Sequence, residues 1–448
     1  MADVSPFHAY RYNLDRVTLA DVVTQPYDKI TPAMQERYLA VSPYNLIQVE
    51  KGKPEPGDSP ANNVYTRAEQ VLAQWIRDSI LVRDSSPALY AYFQEYTVPG
   101  TTERRTRKGF IGLGRVEDYA SGVVFRHEQT LTGPKADRLE LLRHTRTHTG
   151  QLFMLYTDPE CRIDALLDCA AKQPVTAQAT DEYDVTHRLW AITNIATIAT
   201  IVREIAPKKL VIADGHHRYE TALAYRNEQR AISGDRAEGP YERAMMTFFN
   251  TRTCNAQAEG LLILPTHRVV SNLSDFDSEA LRRKMEAFFE QENYIFGSNS
   301  ARAAAYEKFC RDLQSRANNR PAVGMYAGRQ FTLFRLRPDV DLAALMPDIS
   351  PAQRQLDVVL LHRILLEKGL GIAPAAVVAE RNITYERDMH MAIAAVDQGV
   401  AQVCFLLNGI GVEEVAQIAL AGEVLPQKST DFYPKLLSGL TLYRLEQK

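Results

Sequence analysis

Apolar and polar residues alternate along this chain with two periods that replace one another in turn. Spacing of three and four residues over 32–40 and 63–78 predicts helices, and the Tyr- and Phe-rich run 88–98 with its resumption at 109–116 predicts a long antiparallel hairpin. Helical spacing returns over 135–148 and 187–205, with a strand-like run at 151–156 between them. A β-branched run over 209–214 then ends in Asp214-Gly215 and passes into helical pattern over 219–228. Strands are expected at 245–250 and 260–265. The composition turns polar at Ser271-Asn272-Leu273-Ser274-Asp275, before a helix over 276–292 and strands at 323–326, 331–336 and 402–407. The alternation predicts a mixed α/β (α+β) protein of two domains, 1–272 and 273–448.

Length and composition agree with that division. The 448 residues exceed the roughly 250 to 300 that one hydrophobic core serves, and 45% hydrophobic residues supply two cores. Lys+Arg 52 against Asp+Glu 55 leaves a net charge of -3, which removes the broad basic face of a nucleic-acid or membrane-surface binder. The longest uncharged runs, 189–202 and 399–412, are shorter than the roughly 20 residues a spanning helix needs. Neither nucleic acid nor membrane is expected as a partner. The start Met1-Ala2-Asp3 has no basic and apolar leader pattern, and the five cysteines show no CxxC, so a cytoplasmic, reducing setting without a disulfide framework is expected. Arg104, Arg105, Arg107 and Lys108, on the second arm of the hairpin, are expected to solvate and protect a sheet edge.

Chemistry concentrates at Asp214-Gly215-His216-His217-Arg218. A strand ending in Asp-Gly before a helix turns backbone N–H groups and the positive end of the helix dipole toward the space beyond the strand, which suits an anion. Arg218 adds a planar fork for phosphate or carboxylate, and His216 and His217 add groups that exchange protons near neutral pH. A second cluster, Arg126-His127-Glu128-Gln129-Thr130, lacks the second histidine of a zincin helix and leaves general acid or base, magnesium ligand and phosphate contact all open. Three His-Arg pairs, at 187/188, 217/218 and 267/268, suggest basic groups converging on one acidic ligand. Lys428 and Lys435 flank Ser429-Thr430-Asp431-Phe432-Tyr433-Pro434, an ordered-loop composition, and Lys428 is expected to point toward the 214–218 pocket. Neither a P-loop nor a GxGxxG fingerprint is present.

Several of these segments, namely Gln25-Pro26-Tyr27-Asp28, His127-Glu128-Gln129-Thr130, Gly133-Pro134-Lys135, Asp137-Arg138, His187-Arg188-Leu189-Trp190, Asp214 to Ala222, Pro265-Thr266-His267-Arg268 and Pro426-Gln427-Lys428-Ser429-Thr430, occur in one order along the chain. Together they resemble the bacterial and archaeal family called domain of unknown function 1015, departing from it at Leu425, where a methionine is expected, and at Asp431, where a tyrosine is. Residues 192–228 are also similar to the nucleotide-binding motif of the ParB and sulfiredoxin superfamily, which includes free-serine kinases. That resemblance implies a ParB/sulfiredoxin-like N-terminal half in which Gly215, His216, His217 and Arg218 face the phosphates of ATP or ADP, with Mg²⁺.

The expected activity is phosphoryl transfer from a nucleotide to a small hydroxylated or anionic metabolite, with serine or phosphoserine as the class the resemblance implies. Glu128, Asp214, His216 and His217 are the expected catalytic residues; Gly215, Arg218, His127, Lys428, Ser429 and Thr430 the cofactor contacts; Glu128 and Asp214 the metal ligands. Two rival readings use the same residues: a metal-dependent phosphatase or other hydrolase, and a nucleotide-sensing module without catalysis.

Overall fold

The computed structural model describes the chain except 129–131, 234–237, 253–259, 316–319 and 447–448, and except the side chains of 132–134 and 299. It is a mixed α/β protein whose chain forms two compact units, Met1–Leu262 with Pro434–Lys448, and Ile263–Tyr433. The boundary expected at 272/273 falls inside the second unit, because the strand His267–Val270 already pairs on both sides within that unit's sheet. The last residues return to the first unit because they are apolar: Leu436, Leu437, Leu440 and Leu442 are buried, and Tyr443–Arg444 pairs antiparallel with Thr147–His148.

The first unit is organised by a nine-stranded sheet. Leu210–Asp214 lies between Val124–Phe125, to which it is parallel, and Leu152–Tyr156, to which it is antiparallel. Beyond these follow Arg243–Asn250, Arg104–Arg115, Leu89–Thr97, Thr186–Ile192 and Ala177–Thr180, with Val4–Ser5 on Arg104–Arg115. The helices Ile195–Ile205 and His216–Ser233 bury Ile201, Ile205, Tyr219 and Ala222 in one cluster with Met154, Ile212 and Phe248. Covering such strands by helices is what makes them read as continuous apolar runs.

Two expectations are corrected here. The helix expected over 187–205 is half strand: Thr186–Ile192 pairs with Leu89–Thr97 on one side and Ala177–Thr180 on the other, and the helix begins only after Asn194, whose side chain accepts from Thr197 N at 2.9 Å. Nor do all the bases of the hairpin protect an edge. Arg104–Arg115 is an inner strand, and Arg107 is buried, its guanidinium 4.6 and 4.8 Å from the rings of Phe153 and Phe249 and bonded to Gln94 and to Pro434 O.

The second unit holds a six-stranded sheet in the order Phe289–Ile295, Gln330–Leu336, Ala322–Ala327, Val403–Leu406, His267–Val270, Ile383–Glu386. The helix expected over 276–292 stops early. Asp277 caps Ser278–Met285 by accepting from Glu279 N at 2.8 Å, and from Phe289 the chain pairs with Gln330–Leu336 instead. The two departures from the family pattern have local uses here, since Leu425 is buried and Asp431 takes a two-point ion pair from Arg387 at 2.7 and 3.0 Å. Cys161 is disulfide-bonded, whereas Cys169, Cys310 and Cys404 are free. Among the described residues, no helix is long and apolar enough to cross a membrane.

Candidate functional site

Leu210–Asp214 is buried at Leu210, Val211, Ile212 and Ala213, and its ladder with Leu152–Tyr156 shifts register between Ile212 and Asp214. Irregular pairing of this kind re-aims the last side chain of a strand. Gly215 follows with φ +92, a conformation that strains any residue carrying a Cβ. A Cβ there would also sit 3.1 to 3.2 Å from the guanidinium of Arg218. Replacing Gly215 with alanine is therefore expected to cost about 1 to 2 kcal/mol of stability and to displace Arg218, which paired thermal melts and nucleotide titrations would detect.

The helix His216–Ser233 starts immediately. Its first turn is fixed by Tyr219, whose hydroxyl donates to Glu117 O at 2.7 Å and accepts from Glu117 N at 2.9 Å. Arg218 donates to Gln151 O, and its other terminal nitrogen lies 3.9 Å from Asp214 Oδ2. On the same carboxylate oxygen Lys435 Nζ donates at 3.5 Å. The lysine is held there partly because Gln94 donates to its carbonyl at 2.8 Å. Burial alone would raise the Asp214 carboxyl, but the charges of Lys435, Arg218 and Lys29 outweigh it and hold the group well below the usual carboxylate range.

His127 completes the cluster. Its Nδ1–H donates to Ile212 O at 2.7 Å, and its ring meets that of His216 edge-on with centroids 4.7 Å apart. Burial pushes His127 down to about 4, and burial, with the repulsion that a protonated His127 beside it would add, pushes His216 well below its ordinary value. Both imidazoles are neutral at physiological pH, and His216 Nε2 is buried without a hydrogen-bond partner. An orphan buried nitrogen costs free energy unless something fills its bond, so it points to a ligand. His217 is half-buried one residue on, its carbonyl accepting from Thr221 at 2.8 Å. Glu128 is half-buried and follows His127; Gln129 and Thr130 lie outside the described residues.

The other expected participants make different contacts or belong to the other unit. His187 is buried against Asp181 at 3.2 Å and Tyr92 at 2.6 Å, and Arg188, on the opposite face of the strand, pairs with Glu95, so this His-Arg pair delivers no base to the cluster. Lys428, Ser429 and Thr430 belong to the second unit. Of the two lysines flanking that loop, Lys435 is the one in the first unit, against Asp214. Lys29, directly after Gln25-Pro26-Tyr27-Asp28, was given no role by the sequence, and the only signal for it was its place beside that motif.

Among the described residues there is no preformed all-protein cage for the magnesium expected at Glu128 and Asp214. Asp214 is flanked by two fixed cations, and among the described residues no group of three or more His, Cys, Asp or Glu side chains is placed to hold a metal ion. What the site offers is a carboxylate, three cations, neutral imidazoles and helix N–H groups.

Junctions at which a strand ends and a helix begins are, across α/β folds, places where anions commonly bind. The chain belongs to the family described as protein of unknown function (DUF1015), whose model matches residues 4–359. No curated protein matches it. Among solved structures it is similar to a free serine kinase variant in complex with ADP, at 10% identity and TM-score 0.37, over 78% of this chain and 98% of that one. It is also similar to a conserved hypothetical protein from Pyrococcus furiosus, at 13% identity and TM-score 0.33, over 72% and 92%. A third, SbnI with a C-terminal truncation from Staphylococcus aureus, gives 11% identity and TM-score 0.33, over 74% and 87%. At such scores the chemistry has to be read from the chain's own residues.

Proposed function

We propose that the protein is a nucleotide-dependent phosphotransferase acting on a small hydroxylated metabolite, with ATP or ADP as the nucleotide and serine or phosphoserine as the substrate class. The observation that carries this reading is the convergence of Arg218, Lys435 and Lys29 on Asp214 at the start of a helix, beside the orphan Nε2 of His216. Phosphoryl transfer asks little covalent chemistry of a protein; it asks for positioned phosphates and stabilised charge. Arg218 and Lys435 hold phosphate oxygens, with the helix N–H groups behind Gly215 adding the dipole's positive end. Phosphates that claim these two cations release Asp214 from its ion pairs, which raises its proton affinity and lets it take the proton of the acceptor hydroxyl. His216 hydrogen-bonds the bound ligand, and His127, fixed by Ile212 O, holds the imidazole of His216 in place. Glu128 and His217 are the remaining candidates for proton transfer.

The test is ADP formation from ATP and AMP formation from ADP in the presence of a panel of small hydroxylated acceptors including serine, alongside calorimetry of ATP and ADP binding. Nucleotide binding without turnover of any acceptor would turn the site into a sensor, and absence of nucleotide binding would sink the reading altogether. In the same assay Lys435→Ala is expected to raise the KM for the nucleotide about tenfold, the loss of one charge-assisted contact, and to lower the melting temperature as well, because Asp214 loses its largest compensating charge. An unchanged KM would confine Lys435 to neutralising Asp214.

A further inference from the structure

Two motifs of the sequence find no use in the site above, Pro265-Thr266-His267-Arg268 and Pro426-Gln427-Lys428-Ser429-Thr430, and within the second unit the structure brings them together. Arg268 is fully buried, its guanidinium donating to Thr266 O and, at 3.2 Å each, to Gln427 O and Lys428 O, with the ring of Tyr385 5.1 Å away. A guanidinium fixed in this way is a preset positive charge with little side-chain entropy left to lose. It lines a cavity of about 370 Å³, with Thr266, Arg320, Gln355, Asn408 and Ser429 among the other walls. That volume lies in the range of small-molecule sites.

The lining carries both signs of charge. Arg268 and Arg320 face it from one set of elements, and Asp357 and Glu414 from another. Arg320 is braced by Glu290 at 2.7 Å, Asp357 accepts from Ala322 N at 2.9 Å, and Glu414 accepts from Gly411 N at 2.8 Å. All four side chains are therefore held in place before any ligand arrives. Two arginines alone would favour a simple anion; two carboxylates in the same wall penalise one and favour a molecule with a cationic end as well.

A second observation lies next to that wall along the chain, although the residues concerned do not line the cavity. The wall segment Gln355 to Val358 runs directly into a π-helix, Leu361–Gly369, a geometry that recurs at functional sites. His362 in its first turn has a buried Nε2 without a hydrogen-bond partner, and burial together with the charge of Arg268 keeps that imidazole neutral.

From this arrangement we infer that the second unit carries its own ligand site, at the cavity lined by Arg268, Arg320, Asp357 and Glu414, for a small zwitterion bearing a carboxylate or phosphate and an amine. The inference uses none of the residues that carry the phosphotransferase reading, and every residue in the site belongs to the second unit.

The experiment is calorimetry on the full chain with the free amino acids and phosphoethanolamine as zwitterionic probes, and with acetate and inorganic phosphate as anion-only probes, each at about 1 mM. In the Arg218→Ala background, which weakens phosphate binding at the first unit's site, at least one zwitterion other than serine is expected to bind, and neither simple anion. Gln355→Glu adds a negative charge at an exposed position of the rim and is expected to weaken that binding about tenfold or more, with the fold intact. Arg268→Gln is expected to abolish it, and Gln355→Glu keeps the test decisive if that variant does not fold. Arg218→Ala is expected to leave it unchanged, so failure here and failure of the nucleotide site are read separately. Binding of the anions alone, binding indifferent to Gln355→Glu, or no binding by any probe would overturn the proposal.

Discussion

Arg218→Ala is expected to weaken ATP and ADP binding by one to two orders of magnitude. A charge-assisted hydrogen bond to phosphate is worth about 1.5 to 3 kcal/mol, and each 1.4 kcal/mol is about a tenfold change in Kd. The upper part of that range applies because the Arg218 side chain is only 13% exposed and its guanidinium is already oriented by Gln151 O. Arg218→Lys keeps the charge and loses the fork, so it should recover only part of the affinity. The alanine variant also leaves Gln151 O without this donor, at a cost of about 1 kcal/mol in stability, which a thermal melt separates from the binding loss. Calorimetry that finds the same Kd in wild type and Arg218→Ala would move the residue from ligand binding to support of the strand Leu152–Tyr156.

The junction that this prediction addresses was legible in the sequence because its signals are local. β-branched residues up to Ile212, an Asp-Gly pair and helical pattern after it occupy consecutive positions, and φ +92 at Gly215 is the geometry such a junction requires. Lys435 is 221 residues from Asp214, and no short pattern announces a contact of that range. The loop composition around it suggests a lysine over an anion and points to Lys428; the contact within the first unit comes from Lys435, which the apolar run Leu436-Leu437 draws into that unit. The segment 187–192 shows the complementary failure. Its residues satisfy a helical pattern, but each flank offers a strand partner, and two ladders outweigh weak intrinsic preference. Arg107 misled in the same way: charge predicts exposure on average, yet here two aromatic faces, an amide and a carbonyl replace its water.

Acid should destabilise both units over the window from about pH 6.5 to 4, before the ion pairs of Asp214 respond. Burial pushes His127 in the first unit and His267 in the second down to about 4 from an ordinary value of 6.5. The unfolded chain therefore takes up these protons at higher pH than the folded one. The contribution of these two histidines is full above about 6.5, falls as the pH drops, and levels off below about 4, where both states are protonated. A tenfold loss of proton affinity on folding corresponds to about 1.4 kcal/mol, so one such histidine removes about 3 kcal/mol, a large part of the roughly 5 to 15 kcal/mol by which a domain is stable. Asp214 has the opposite sign: its carboxyl is depressed from 3.8, so its contribution persists through this window and is lost only at lower pH. The geometry says how to remove one titration without removing its hydrogen bond. His267 Nδ1 accepts from Leu407 N at 3.2 Å, and protonation there would destroy that acceptor. The Oδ1 of asparagine occupies nearly the place of Nδ1 and does not titrate, so His267→Asn should flatten the dependence of stability on pH between 6.5 and 4 by up to one proton, about 1.4 kcal/mol per pH unit. Denaturant unfolding at a series of pH values measures that slope; if the variant and the wild type lose stability in parallel, the buried imidazole of His267 is not the group that senses acid.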